Sequence, residues 1–198
     1  MVLSDFKGVV VGDATVGKTS LLLTYTTGQF PAEYIPTTAH DFGGSATING
    51  KTYTIALYDT AAQEDYDRLR PLAYPGTDVF LICFSVASPP SLRSVRDKWL
   101  PELRRFVSRD IPFLLVGTKV DLRDDPQTIK DLASREMQPV SWEEGERVAR
   151  KLSAVKYVEC SALEQVNLKE VFDEAIVAAV EAPREKKKHH KDRSCLLL

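Results

Sequence analysis

The chain has 198 residues, 43% apolar and 27% charged, a balance that excludes wholesale disorder, a collagen-like repeat and a coiled coil and suits one soluble domain. Its net charge of −2 is uneven: Pro183 to Leu198 holds six Lys/Arg against two acids, +4, leaving −6 on the body, which argues against a nucleic-acid-binding domain and aims the tail at an anionic membrane surface. Cys83, Cys160 and Cys195 are too few for a disulfide framework and too scattered for zinc, no apolar run nears the ~20 residues of a membrane span, and Met1 to Lys7 lacks a signal-peptide layout, so a reducing, cytosolic setting is expected.

In chain order, strands are expected at Phe6 to Val11, Tyr53 to Tyr58, Val79 to Phe84, Phe113 to Val116 and Val155 to Val158. Most show little in/out alternation, as strands covered on both faces do. Asn49-Gly50 between Ser45-Ala-Thr-Ile48 and Lys51-Thr-Tyr-Thr-Ile55 marks a hairpin, which adds one antiparallel strand. Leu92, Val95, Trp99, Leu103 and Phe106 share a helical stripe that Pro101 should kink or interrupt. Ser141-Trp-Glu-Glu144 fits a capping box ahead of Gly145, Val148, Ala149 and Leu152. The clearest helical pattern runs from Leu168 through Val180. Alternating strands and helices predict an α/β fold: a six-stranded, mostly parallel sheet with helices on both faces, binding its ligand at the carboxyl ends of the strands. Cys83, Cys160, Trp99 and Trp142 read as packing residues.

After the first strand comes Gly12-Asp-Ala-Thr-Val-Gly17-Lys18-Thr19, which fits the phosphate-loop pattern. The glycines let successive backbone N–H groups turn toward phosphate oxygens, and the next helix adds its positive end. Lys18 reaches the outer phosphates as a mobile charge, and the Thr19 hydroxyl can ligate Mg²⁺. Asp13, Ala14, Thr15, Val16 and Ser20 complete this stretch. The base is read elsewhere: Thr118-Lys119-Val120-Asp121 and Cys160-Ser161-Ala162-Leu163 each follow a strand on the binding edge. The Asp121 carboxylate can accept both N–H donors of guanine, which adenine lacks. The Lys119 stem can cover the ring, and the Ala162 backbone N–H can meet guanine O6.

These motifs, with Phe30-Pro-Ala-Glu-Tyr-Ile-Pro-Thr37, Asp59-Thr60, Gln63 to Leu72 and Val155 to Ala162, make the chain resemble the Rho family of small GTPases from about Lys7 to Leu198. The resemblance implies a P-loop NTPase fold over residues 1–182, with an extra insert helix at about 124–138, and a flexible polybasic tail at 183–198. It also implies site roles. Thr37 would join Thr19 on Mg²⁺, and Asp59 would hold the ion through water. Phe30 would pack on guanine, Tyr34 would cover the phosphates, and Gln63 would orient the attacking water. Lys18, Thr37 and Gln63 are thus the expected catalytic set for slow GTP hydrolysis to GDP and phosphate, with Ser161 and Leu163 in the base-side loop and Ala62 at the γ-phosphate. Exchange factors, activating proteins, a dissociation inhibitor and effectors reading the two switches are the implied partners. Cytoskeletal or polarity signalling is the implied role, at the cytoplasmic face of the plasma membrane or endomembranes.

Three departures from the family fall on function. Ala14 and Ala62 stand where the family has glycine. Ala14 adds a β-carbon that crowds the γ-phosphate and Ala62 narrows the backbone freedom to turn its N–H onto it, so weak hydrolysis and a poor response to an activating protein are expected; a scaffold that binds GTP without hydrolysing it is the alternative. Thr38, Ala39 and His40 lack the apolar pair and acid of Rac relatives, and Tyr58 replaces a frequent tryptophan, which should change effectors and exchange factors. Cys195-Leu-Leu-Leu198 fits a geranylgeranylation box, with the polybasic stretch as the second membrane signal. A nucleotide kinase shares the phosphate loop but leaves Asp121 without a purpose.

Overall fold

The computed structural model describes residues 5–32, 41–62 and 64–182. Tyr34, Thr37, Thr38, Ala39, His40, Gln63 and the tail with Cys195 lie outside the described residues. Six strands form one sheet in the order β2-β3-β1-β4-β5-β6: β1 (Phe6–Gly12), β2 (Asp41–Ile48), β3 (Lys51–Asp59), β4 (Val79–Ser85), β5 (Phe113–Thr118) and β6 (Lys156–Glu159). Only β2 runs antiparallel, paired with β3 through Ile48↔Lys51. Its turn is the expected Asn49-Gly50, with φ 51° and 77°, the double left-handed conformation that matches strand twist.

Every residue of β4 and β5 is buried, which is why neither shows alternation in sequence. The helices are α1 (Lys18–Thr27), α2 (Pro89–Ser94), α3 (Leu100–Phe106), α4 (Pro126–Ala133), α5 (Trp142–Leu152) and α6 (Leu168–Glu181). On one face, Leu21 and Leu22 of α1 and Val171, Phe172, Ala175 and Ile176 of α6 pack over Val10, Leu57, Leu81 and Val116. On the other, Leu92, Val95, Trp99 and Leu103 join Ala149 over Val9, Val11, Ile82 and Leu115. The sheet is therefore covered twice, as expected.

The stripe from Leu92 to Phe106 is one helical run interrupted by a π turn at Val95–Trp99, directly ahead of Pro101. A proline cannot donate to the carbonyl four residues back, and the wider turn accommodates that break. The Ser141 hydroxyl caps α5 by accepting the Glu144 N–H at 3.2 Å. The Asp125 carboxylate caps α4 by accepting the Thr128 N–H at 2.7 Å. Cys83 and Cys160 are buried in the core; burial pushes the Cys83 thiol up to about 12 and raises Cys160 as well, so both are inert packing groups. No helix among the described residues is long and apolar enough to cross a membrane.

Candidate functional site

Strand order reverses about β1, which has β3 on one side and β4 on the other, and the loops that leave the carboxyl ends of β1, β3, β5 and β6 gather there. Register aligns them: Val10 sits beside Asp59, Gly12 beside Cys83, and Ser85 beside Thr118. Gly12, at φ 148°, is forced by proximity, because a β-carbon there would lie 2.2 Å from the Cys83 carbonyl oxygen. Thr15 and Gly17 also adopt left-handed backbone, at φ 61° and 99°, and curl the loop into α1, whose first turn carries no side-chain cap.

Lys18 is buried, and its ammonium donates to Gly12 O and Asp13 O, both at 2.8 Å. Two loop carbonyls therefore hold the ammonium beside the phosphate loop. Burial lowers its pKa, opposed by the Asp59 carboxylate. The Thr19 hydroxyl donates to the buried Asp59 carboxylate at 2.5 Å, so the two expected metal-side groups meet. Ala14 is exposed, and neither it nor Ala62 adopts the left-handed backbone found at Thr15. Ala62 packs, half-buried, against the apolar layer under α2 and α3.

On the base side, the Ser161 hydroxyl donates to the Asp121 carboxylate at 2.5 Å and accepts the Glu164 N–H at 3.0 Å. The carboxylate is thereby held in place. Lys119 takes left-handed backbone, φ 60°, and its stem passes Gly17, with Cε 3.6 Å from where a β-carbon there would sit. Burial lowers its pKa. The Thr118 hydroxyl donates to Val16 O at 2.5 Å, with Phe84 O at 2.8 Å, which ties the base-side loop to the phosphate loop. Phe30 is 42% exposed beyond the end of α1. Ala162 is half-buried and Leu163 exposed in the turn after β6. Val16 is buried, and Asp13 and Ser20 are half-buried, in and just after the phosphate loop.

Two supporting networks escaped the sequence reading. Arg123 clamps the buried Glu159 with both terminal guanidinium nitrogens, at 2.8 and 2.5 Å, and donates its Nε–H to Val140 O at 3.0 Å. The Trp99 indole N–H donates to the Asp13 carboxylate at 2.7 Å, so a residue read as packing also touches the phosphate loop. An apolar stripe gave Trp99 its place in the core, but no sequence signal marks its polar edge.

A curled glycine loop opening a helix beside the switch point of a doubly covered sheet defines a P-loop nucleotide-binding protein. The chain belongs to the Ras family, whose family model matches residues 7–181. It is accordingly a small GTP-binding protein, of a family with GTPase activity that binds GTP and GDP, typically with Mg²⁺, and generally engages exchange factors, activating proteins and effectors.

Proposed function

We propose that this chain is a Rho-type guanine-nucleotide switch that works at the cytoplasmic face of a membrane. The observation that carries the guanine reading is the Asp121 carboxylate, fixed by Ser161 on the same sheet edge as the phosphate loop. An ionised carboxylate only accepts, which suits the paired N–H donors of guanine and leaves adenine unmatched. Thr19 and Asp59 present hard oxygens of the kind Mg²⁺ takes, and Thr37 would complete the set. When bound, the ion neutralises charge on the outer phosphates. Lys18, held by its two carbonyls, has one further N–H with which to meet the outer phosphates. Phe30 covers the base, Tyr34 the phosphates, and Gln63 positions water.

Ala14 and Ala62 slow this reaction through their added methyl groups. The Ala14 methyl lies on the exposed rim of the phosphate loop, where Gln63 and an activating protein's arginine would have to reach. The Ala62 methyl packs on the apolar layer and favours one placement of the segment after β3. In single-turnover GTP hydrolysis with a Rho-type activating protein, returning both alanines to glycine is expected to raise the stimulated rate at least tenfold, against the ~10³–10⁵ such an arginine supplies. An already normal rate in the unaltered chain overturns the impairment. The same two alanines favour a second reading, a binding scaffold without turnover, and absence of phosphate release under saturating GTP would establish it.

Partner choice follows from Thr38, Ala39, His40 and Tyr58, which are expected to weaken capture of familiar Rac and Rho effectors and to alter exchange-factor preference. Cytoskeletal signalling remains part of this Rho-type proposal. Geranylgeranylation at Cys195 and the polybasic stretch place the protein on the anionic inner leaflet, where each Lys/Arg adds ~1 kcal/mol. Cys195→Ser is expected to shift the protein to the soluble fraction on cell fractionation; unchanged membrane association refutes the anchor.

A further inference from the structure

We propose that Trp99 is a positioning residue that couples the phosphate loop to the segment following β3, through an Asp13–Trp99–Arg70–Ala61 relay. The proposal rests on the guanine-nucleotide reading of the site and adds to it a residue outside the nucleotide-contacting loops. Trp99 closes the π turn ahead of Pro101, fully buried, and its indole N–H donates to Asp13 Oδ1 at 2.7 Å. On the other side, the Arg70 guanidinium carbon lies 4.7 Å from the centre of the Trp99 ring, within cation–π range. Arg70 is itself buried, and its NH1 donates to the Ala61 carbonyl at 2.9 Å. The indole thus has one partner in the loop that wraps phosphate and another that holds the backbone just before Ala62 and Gln63.

The relay is rigid at its far end. Nε and NH2 of Arg70 donate to the two oxygens of Glu102 at 2.9 and 2.7 Å, and NH2 also reaches Asp67 at 2.6 Å. The Tyr74 hydroxyl donates to the same Glu102. The Lys98 ammonium lies 4.9 Å from the Trp99 ring centre and 3.8 Å from Asp67, so the indole is flanked by two cations. A shift of Asp13 therefore bears on the ring, and a shift of the ring bears on the guanidinium that fixes Ala61. Packing alone would need only an apolar ring here. The N–H bond to a carboxylate is what a space-filling residue lacks.

The test uses the full chain loaded with a fluorescent GDP analogue in Mg²⁺ buffer. Release into excess GDP is timed for the unaltered chain, Trp99→Phe, Arg70→Lys and the double variant, with thermal unfolding alongside. Trp99→Phe keeps an aromatic ring and removes the N–H; Arg70→Lys keeps the charge and removes the planar fork. Each single change is expected to speed release about tenfold, the scale of losing a hydrogen bond to a charged group. The double variant is expected to match the faster single variant, because both cut one relay, whereas independent defects multiply. Multiplied effects, or unchanged release from a natively melting Trp99→Phe, overturn the relay and leave the functional reading standing. An unaltered chain that retains no guanosine diphosphate overturns both. Should Trp99→Phe fail to fold, Asp13→Asn against Arg70→Lys carries the same comparison, since the indole bonds to the one side chain and lies against the other.

Discussion

Asp121 shows how little of a side chain's role lies in its own identity. A carboxylate in a surface turn is ordinarily a solvated charge, yet here the Ser161 hydroxyl holds one oxygen at 2.5 Å and the turn after β6 holds the serine through Glu164. Asp121→Asn keeps the shape and exchanges one acceptor for a donor. It is expected to weaken GDP binding by ~10- to 100-fold, the scale of hydrogen bonds to charged groups, with little change in melting temperature; equilibrium titration with labelled GDP checks this. Lys18 makes the complementary point. Two carbonyl partners and burial hold its ammonium, so the loop's backbone as well as the lysine itself decides its position.

At the scale of elements, α5 rests on one close approach. A β-carbon on Gly145 would lie 2.0 Å from the Tyr157 hydroxyl oxygen, and Tyr157 in turn donates to the buried Glu159 that Arg123 clamps. Gly145→Ala is expected to destabilise the fold by ~1–3 kcal/mol, the usual range for overpacking, and to lower the midpoint of urea unfolding without changing its slope. Such dependencies explain what the sequence could and could not tell. The strands, the Asn49-Gly50 hairpin, the phosphate loop and the α6 stripe are carried by neighbouring residues, so local pattern is enough to find them. Pro101 similarly announced a break, and the π turn supplied its form. Arg123 with Glu159, and Trp99 with Asp13, are brought together by strand register and helix placement. Their pairing has no period and no motif, and Trp99 was legible only as apolar surface.

The molecule as a whole carries a pH signature at the Arg70–Glu102–Tyr74 cluster. Burial alone raises the Glu102 pKa, but hydrogen bonds from Arg70 and Tyr74 outweigh it and hold the carboxyl below its ordinary 4.5. Burial likewise opposes the charge on Arg70, and its bonds to Glu102 and Asp67 raise its pKa overall. A carboxyl depressed on folding contributes stability that is complete above the unfolded value and is lost as pH falls through the folded one. Stability is therefore expected to decline as pH drops below about 4.5. Thermal melts from pH 7 to 3 should show a shallower decline in Glu102→Gln, and parallel curves would refute the assignment. One further consequence follows from the Thr118 hydroxyl, which bonds to Val16 O and so welds the purine-reading and phosphate-gripping halves of the cleft into a single block. A change at Thr118 therefore bears on both halves of the cleft at once.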